Sequence, residues 1–201
     1  MKTSTLVIVI ILIALVFLGG CGCTGYNGLV TQDEAVKKAW NNVQSDYQRR
    51  ADLIPNLVAT VKGAANFEKE TYIQVALARS GQLKQALNVP IDSLTPQKIQ
   101  QIQQSSNEAL NASRAALNIT IERYPDLKAT INFSDLQAQL EGTENRIKNS
   151  RNDFNAAVQE YNVKVRSFPM NIFAGIFGFH SRQGFGADAG SQNAPKVDFN
   201  K

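Results

Sequence analysis

Apolar positions keep a helical rhythm along almost the whole chain. Leu6–Leu18 (LVIVIILIALVFL) is a run of 13 apolar residues. Beyond it the run gives way to steps of three and four or their multiples, at Leu29, Val36, Trp40, Val43, Tyr47, Ile54, Leu57 and Val61. That spacing draws one apolar stripe down a helix. Residues 81–95, opened by Gly81 and holding Pro90, read as a loop. Thr95 then offers a capping hydroxyl, and Pro96 stands at a first helical position. Ile99, Ile102, Ala109, Ser113, Leu117 and Thr120 carry the next stripe to about Arg123. Tyr124-Pro125-Asp126 ends it, because proline disfavours helical backbone in the residue before it. Ser134-Asp135-Leu136-Gln137 has the form of a capping box. From there Leu140, Ile147, Phe154, Tyr161 and Phe168 recur every seven residues, with Val158 and Val165 between them, and Pro169 closes this coiled-coil-like seam. No stretch alternates apolar and polar residues for long, so the pattern predicts an all-α fold.

Pro55 makes the first half ambiguous. The apolar register passes through it without a slip, which suits one kinked helix. A helix over 27–80 would be roughly 80 Å long and would leave about a third of its stripe uncovered by the next two. A turn at Ala51–Ile54 gives four segments of comparable length, 28–50, 55–80, 96–123 and 134–167. These can form an antiparallel up-down four-helix bundle that covers every stripe. Arg49 and Arg50 would then sit at a helix C-terminus and Asp52 just before an N-terminus, where the helix dipole favours each charge. The predicted organisation is an N-terminal hydrophobic membrane anchor or signal over 1–20, a linker over 21–27, the bundle over 28–168, and an irregular, partly disordered tail over 169–201.

The apolar run bears on location. Lys2 is the only charge before Asp33. A signal's apolar core is ~7–15 residues long, whereas a spanning helix needs ~20. Leu18-Gly19-Gly20-Cys21 resembles the bacterial lipobox, in which the thiol takes a diacylglycerol and the signal is cut just before it. Cys21 is the expected lipid attachment site. The rival is a retained helix from about Thr5 to Thr24. Both tie the domain to membrane lipid; lipid attachment places the bundle outside the cytoplasm, its expected location, whereas a retained helix leaves the side of the membrane open.

Composition narrows the chemistry. The chain has 201 residues, a net charge of +4 and charges of both signs interleaved throughout, so nucleic-acid binding is not implied. His180 is the only histidine, and Cys21 and Cys23 are the only thiols. Neither a di-metal bundle site nor a hydrolytic triad can be assembled from that set. No catalytic, cofactor or metal residue is expected, and no enzyme activity. Asp33, Arg50, Glu144 and Arg151 fall on the apolar seams. They snorkel there, or form inter-helix ion pairs that fix register. Arg49-Arg50 suits a helix end or a lipid phosphate. Residues 168–179 (FPMNIFAGIFGF) carry four phenylalanines and no charge. They dock on the bundle, or meet a membrane interface or a partner. Residues 180–196 are glycine-rich, polar and expected to be disordered.

Several stretches together resemble one family: YNGLV (26–30), RRADLIPNLVATVKG (49–63), FEKE (67–70), Phe168-Pro169 with Asn171-Ile172, and APKVDF (194–199). They resemble the LemA family of bacterial membrane proteins. The resemblance implies a hydrophobic anchor, an antiparallel four-helix bundle and a tail, with no established enzyme activity, cofactor or catalytic residue. The function expected on this basis is a membrane-tethered scaffold or adaptor of the bacterial envelope that binds an unidentified protein partner. The alternative is an envelope enzyme, or a subunit of one, with a site built from carboxylates.

Overall fold

The computed structural model describes residues 3–64, 71–123 and 131–186, apart from the side chains of 3–6, 10, 11, 13–23, 57, 58, 60–64, 131–133 and 136. The α-helices are α1 (Thr3–Ala64), α2 (Thr71–Leu87), α3 (Pro96–Arg123), α4 (Ile131–Arg166) and α5 (Met170–Phe177), with a 3-10 turn at Ile91–Ser93. The described residues contain no strand. The fold is all-α. Two compact units divide the chain: Met1–Asn41 with Asn152–Gln183, and Asn42–Arg151 with Gly184–Lys201. They are called unit 1 and unit 2.

The expected turn at Ala51–Ile54 is not there. Helix α1 runs through Pro55 without a break. Proline has no N–H to give the carbonyl four residues back, here that of Ala51. The Ser80 hydroxyl of α2 donates to that carbonyl instead, at 2.6 Å. The bond restored from outside is what lets the helix continue, and Ala51 and Ser80 are both buried. Arg49 and Arg50 therefore end no helix, and Asp52 precedes none. Asp52 pairs with Lys84 of α2 at 2.6 Å, and this hydrogen bond is the main cause that holds its carboxyl below the usual range.

Helix α2 is correspondingly shifted. It ends at Leu87, so the expected helical segment 55–80 belongs partly to α1, and Gly81 lies inside α2. Gln44 of α1 donates to the Leu87 carbonyl at 2.7 Å, an acceptor that the helix end leaves open, and to the Val89 carbonyl just beyond it at 3.3 Å. Helix α3 has the predicted bounds. Its Thr95 hydroxyl accepts from the Lys98 N–H at 3.3 Å, as an N-cap does. Helix α4 starts at Ile131, so Ser134 lies within it rather than capping it.

The apolar register survives where the turn did not. Leu29, Val36, Trp40, Val43, Tyr47 and Ile54 of α1 are buried, and so are Leu140, Ile147, Phe154, Val158, Tyr161 and Val165 of α4. In unit 1 the Trp40 and Phe154 rings pack with centroids 5.5 Å apart. In unit 2 one cluster draws on four helices: Leu53 of α1, Ile73 of α2, Leu110 and Leu117 of α3, and Leu140 of α4. Buried hydroxyls on α3 close onto their own helix, Ser113 to Ala109 O and Thr120 to Ala116 O. The seam departs from expectation at one position, since Phe168 is 82% exposed.

Candidate interaction surface

In unit 1, α5 lies against the part of α1 that follows the apolar run. Gly25 and Gly28 carry no Cβ where the Met170 thioether and the Lys164 side chain sit, so these glycines admit a close approach. The Tyr26 ring meets Phe177 and Phe179 edge-on, at 4.9 and 5.9 Å between centroids. Gly178, with φ 77°, ends α5 in the left-handed conformation, and the Phe179 N–H returns to the Ala174 carbonyl at 2.9 Å. Only Ala174 of α5 is fully buried. Ile172, Ile176 and Phe177 are 55, 72 and 48% exposed. The segment 168–179 therefore docks through one side and leaves apolar side chains outside.

The chain after α5 is held by a polar clasp. Arg182 donates to Asp33 Oδ1 at 2.7 Å, and Lys37 reaches Asp33 Oδ2 at 2.9 Å. The Asn162 side chain brackets the Arg182 backbone, donating to its carbonyl and accepting from its N–H, both at 2.8 Å. The guanidinium lies 5.6 Å from the Tyr161 ring centroid. Burial pushes the Asp33 carboxyl up, but the hydrogen bonds and charges of Lys37 and Arg182 outweigh it and hold the carboxyl below its ordinary value. In unit 2 the next residues are fastened too. Phe185 is buried, with the Arg151 guanidinium 5.1 Å from its ring centroid, and Arg151 and Gln103 donate to the Gly186 carbonyl. Residues 180–186 are thus tied down, against the expectation of disorder, and 187–196 lie outside the described residues.

A group held charged by its partners stabilises the fold above its unfolded-state pKa, about 4 for Asp. That contribution fades as pH falls through the lower folded value. Arg182→Gln should therefore flatten the acid limb: unfolding free energy should drop less between about pH 5 and pH 2 than in the wild type. Superimposable acid profiles would show that the clasp does not couple to folding.

The other seam charges are placed differently. Arg50 of α1 is buried in unit 2 and donates to the Ser106 hydroxyl at 2.7 Å and the Thr143 hydroxyl at 3.4 Å. Desolvation lowers its pKa, and the Glu144 charge works against that. Glu144 pairs with Arg114 of α3 at 3.0 Å, a solvent-accessible pair of small energetic weight. His180 is exposed. Among the described residues no three His, Cys, Asp or Glu side chains come together as metal ligands, and no helix is long and apolar enough to cross a membrane. Cys21 falls within α1, but its side chain, like those of 13–20, lies outside the described residues. Sequence reasoning missed Arg182 and Asn162. The available signal was that Arg182 is the only Lys, Arg, Asp or Glu between Arg166 and Asp188.

A model of the LemA family matches residues 39–199. Two magnetosome proteins of Paramagnetospirillum magneticum, MamQ 1 and MamQ 2, are each 25% identical over 174 residues, 80% of this chain and 64% of theirs. Protein LemA of Metamycoplasma hominis is 24% identical over 148 residues, 74% of this chain and 63% of its own. The chain thus spans less than two thirds of the length of these relatives.

Proposed function

The chain belongs to the LemA family, and from that premise we propose that it is a membrane-tethered helical scaffold or adaptor of the bacterial envelope that binds protein partners. The observation that carries the reading is α1 itself. From Thr3 to Gln32 this helix has no charged residue, and it continues unbroken to Ala64. Val7, Ile8, Val9 and Leu12 are 43–57% exposed, which suits a segment that enters the membrane ahead of the folded units, as a signal that is then cut or as a retained helix. In unit 2 one helix pair supports an antiparallel arrangement: along α1 from Gln44 to Ala51 the partners on α2 run back from Leu87 to Ser80. Up-down packing of these four helical stretches is the architecture we propose, with the first strut being the C-terminal part of α1 rather than a separate helix. The relatives' names describe no enzyme.

Cys21 is the proposed lipid attachment site, with the folded units outside the cytoplasm. Intact mass of the membrane-purified protein should show loss of residues 1–20 and gain of acyl mass, both abolished together in Cys21→Ala. A full-length unmodified mass would assign the tether to a retained helix. The scaffold role is tested by crosslinking in native membranes followed by mass spectrometry. Reproducible crosslinks from the exposed faces of α2–α4 to a defined protein are expected, and their absence under conditions that crosslink known neighbours would sink that role.

A further inference from the structure

Resting on the tether reading, we infer that α5 is an interfacial helix: its Ile172 and Ile176, together with Phe168 of the turn before it, lie among the headgroups and upper acyl chains of the phospholipid surface from which the tether emerges. The placement follows from four observations. Met170 packs at Gly25, and Gly25 is four residues beyond Cys21, the proposed lipid attachment site. Along a helix that separation is about 6 Å. A helix lying in the interface sinks its apolar face to a similar depth, ~5–10 Å. Next, Ile172 and Ile176, one helical turn apart on α5, are 55 and 72% exposed and Phe168, in the turn before α5, is 82% exposed, while Ala174 is buried and Met170 and Phe177 contact Gly25 and Tyr26. One side is packed and the other is apolar and exposed among the described residues.

Charge points the same way. No Lys, Arg, Asp or Glu occurs between Arg166 and Arg182, nor in α1 between Thr3 and Gln32. The two segments that meet at Gly25 and Tyr26 therefore form one uncharged zone. Lys164 and exposed Arg166 border it at the end of α4, where ammonium and guanidinium groups can reach lipid phosphates. Finally, the aromatic rings that join the two segments are Tyr26, Phe177 and Phe179, and Tyr in particular is enriched at membrane–water interfaces. A polar protein surface would leave the Phe168, Ile172 and Ile176 side chains without complementary contacts, whereas a lipid surface continuous with the tether covers them. The consequence is a second point of attachment, which would stop unit 1 from swivelling about a single tether.

The test uses the full chain in vesicles of phosphatidylethanolamine and phosphatidylglycerol containing a phospholipid with a diazirine in its acyl chain. After irradiation, adducts are mapped by peptide mass spectrometry, and flotation reports whether the chain is bound at all. Lipid adducts are expected within 168–179 and not in α3, and they should be lost in Ile172→Asp/Ile176→Asp while that variant still floats. Both positions are solvent-exposed, so the variant should retain the helical signature of the wild type. A chain that floats with no adduct in 168–179 overturns the placement of α5 alone, and gives the face to a protein partner or a second copy. A chain that fails to float overturns the tether reading and the placement of α5 with it.

Discussion

Phe154→Ala is expected to lower the unfolding free energy by ~3–5 kcal/mol, the range for removing a fully buried aromatic ring. Phe154 is 0% exposed. Its ring packs at 5.5 Å and 55° against that of Trp40, across the contact of α1 with α4 in unit 1. Truncation opens a cavity there and removes an aromatic pair worth ~0.5–1.5 kcal/mol beyond its area. Asn152→Ala, two residues earlier on the exposed side of α4, should change stability by no more than about 0.5 kcal/mol. Denaturant midpoints measured on the full chain separate the two. Because Trp40 is the only tryptophan, its emission also reports directly on the site and should move to the red in Phe154→Ala. Equal midpoints for the two variants would show that the heptad seam is not the core of unit 1.

The second large effect concerns the helix that proline does not break. Ser80→Ala is expected to cost ~1–3 kcal/mol, because it strands the buried Ala51 carbonyl without a donor. Pro55→Ala supplies the missing N–H from within α1, and alone it should stabilise the chain by as much as ~3 kcal/mol, the usual difference between alanine and proline in a helix interior. The decisive measurement is the pair. In a Pro55→Ala background the Ala51 carbonyl already has its partner, so Ser80→Ala should lose most of its cost. A cost that is the same in both backgrounds would mean that the Ser80 hydroxyl matters only for packing, and that Pro55 is accommodated by some other means.

These two sites also mark the boundary between what was legible in the residues and what was not. The heptad of α4 was legible because burial follows period, and six of its apolar positions are buried as expected. Phe168 was not, since periodicity reports a face and not where the folded domain stops covering it. The start of α3 was legible because Thr95 and Pro96 act within one helical turn. The Asp33–Arg182 clasp was not, because its two members are 149 residues apart and no local rule relates them. The same holds for the buried Arg50, whose hydroxyl partners come from α3 and α4. A charge on an apolar stripe could be seen in the sequence, but not whether it would snorkel or be enclosed.

The chain by itself therefore determined that the protein is all-α, which faces of α1, α3 and α4 turn inward, where α3 begins and ends, and that an uncharged apolar stretch precedes the folded units. Those properties depend on periods of three, four and seven and on capping groups, all of which act over a few residues. Only the tertiary structure decided that α1 passes through Pro55. The local cost of proline is a missing hydrogen bond, and the Ser80 hydroxyl that replaces it comes from another helix, 29 residues along the chain. Tertiary structure likewise decided which side of α5 is packed and which is left apolar and exposed, because that depends on Gly25 and Tyr26 receiving it far from its place in the sequence.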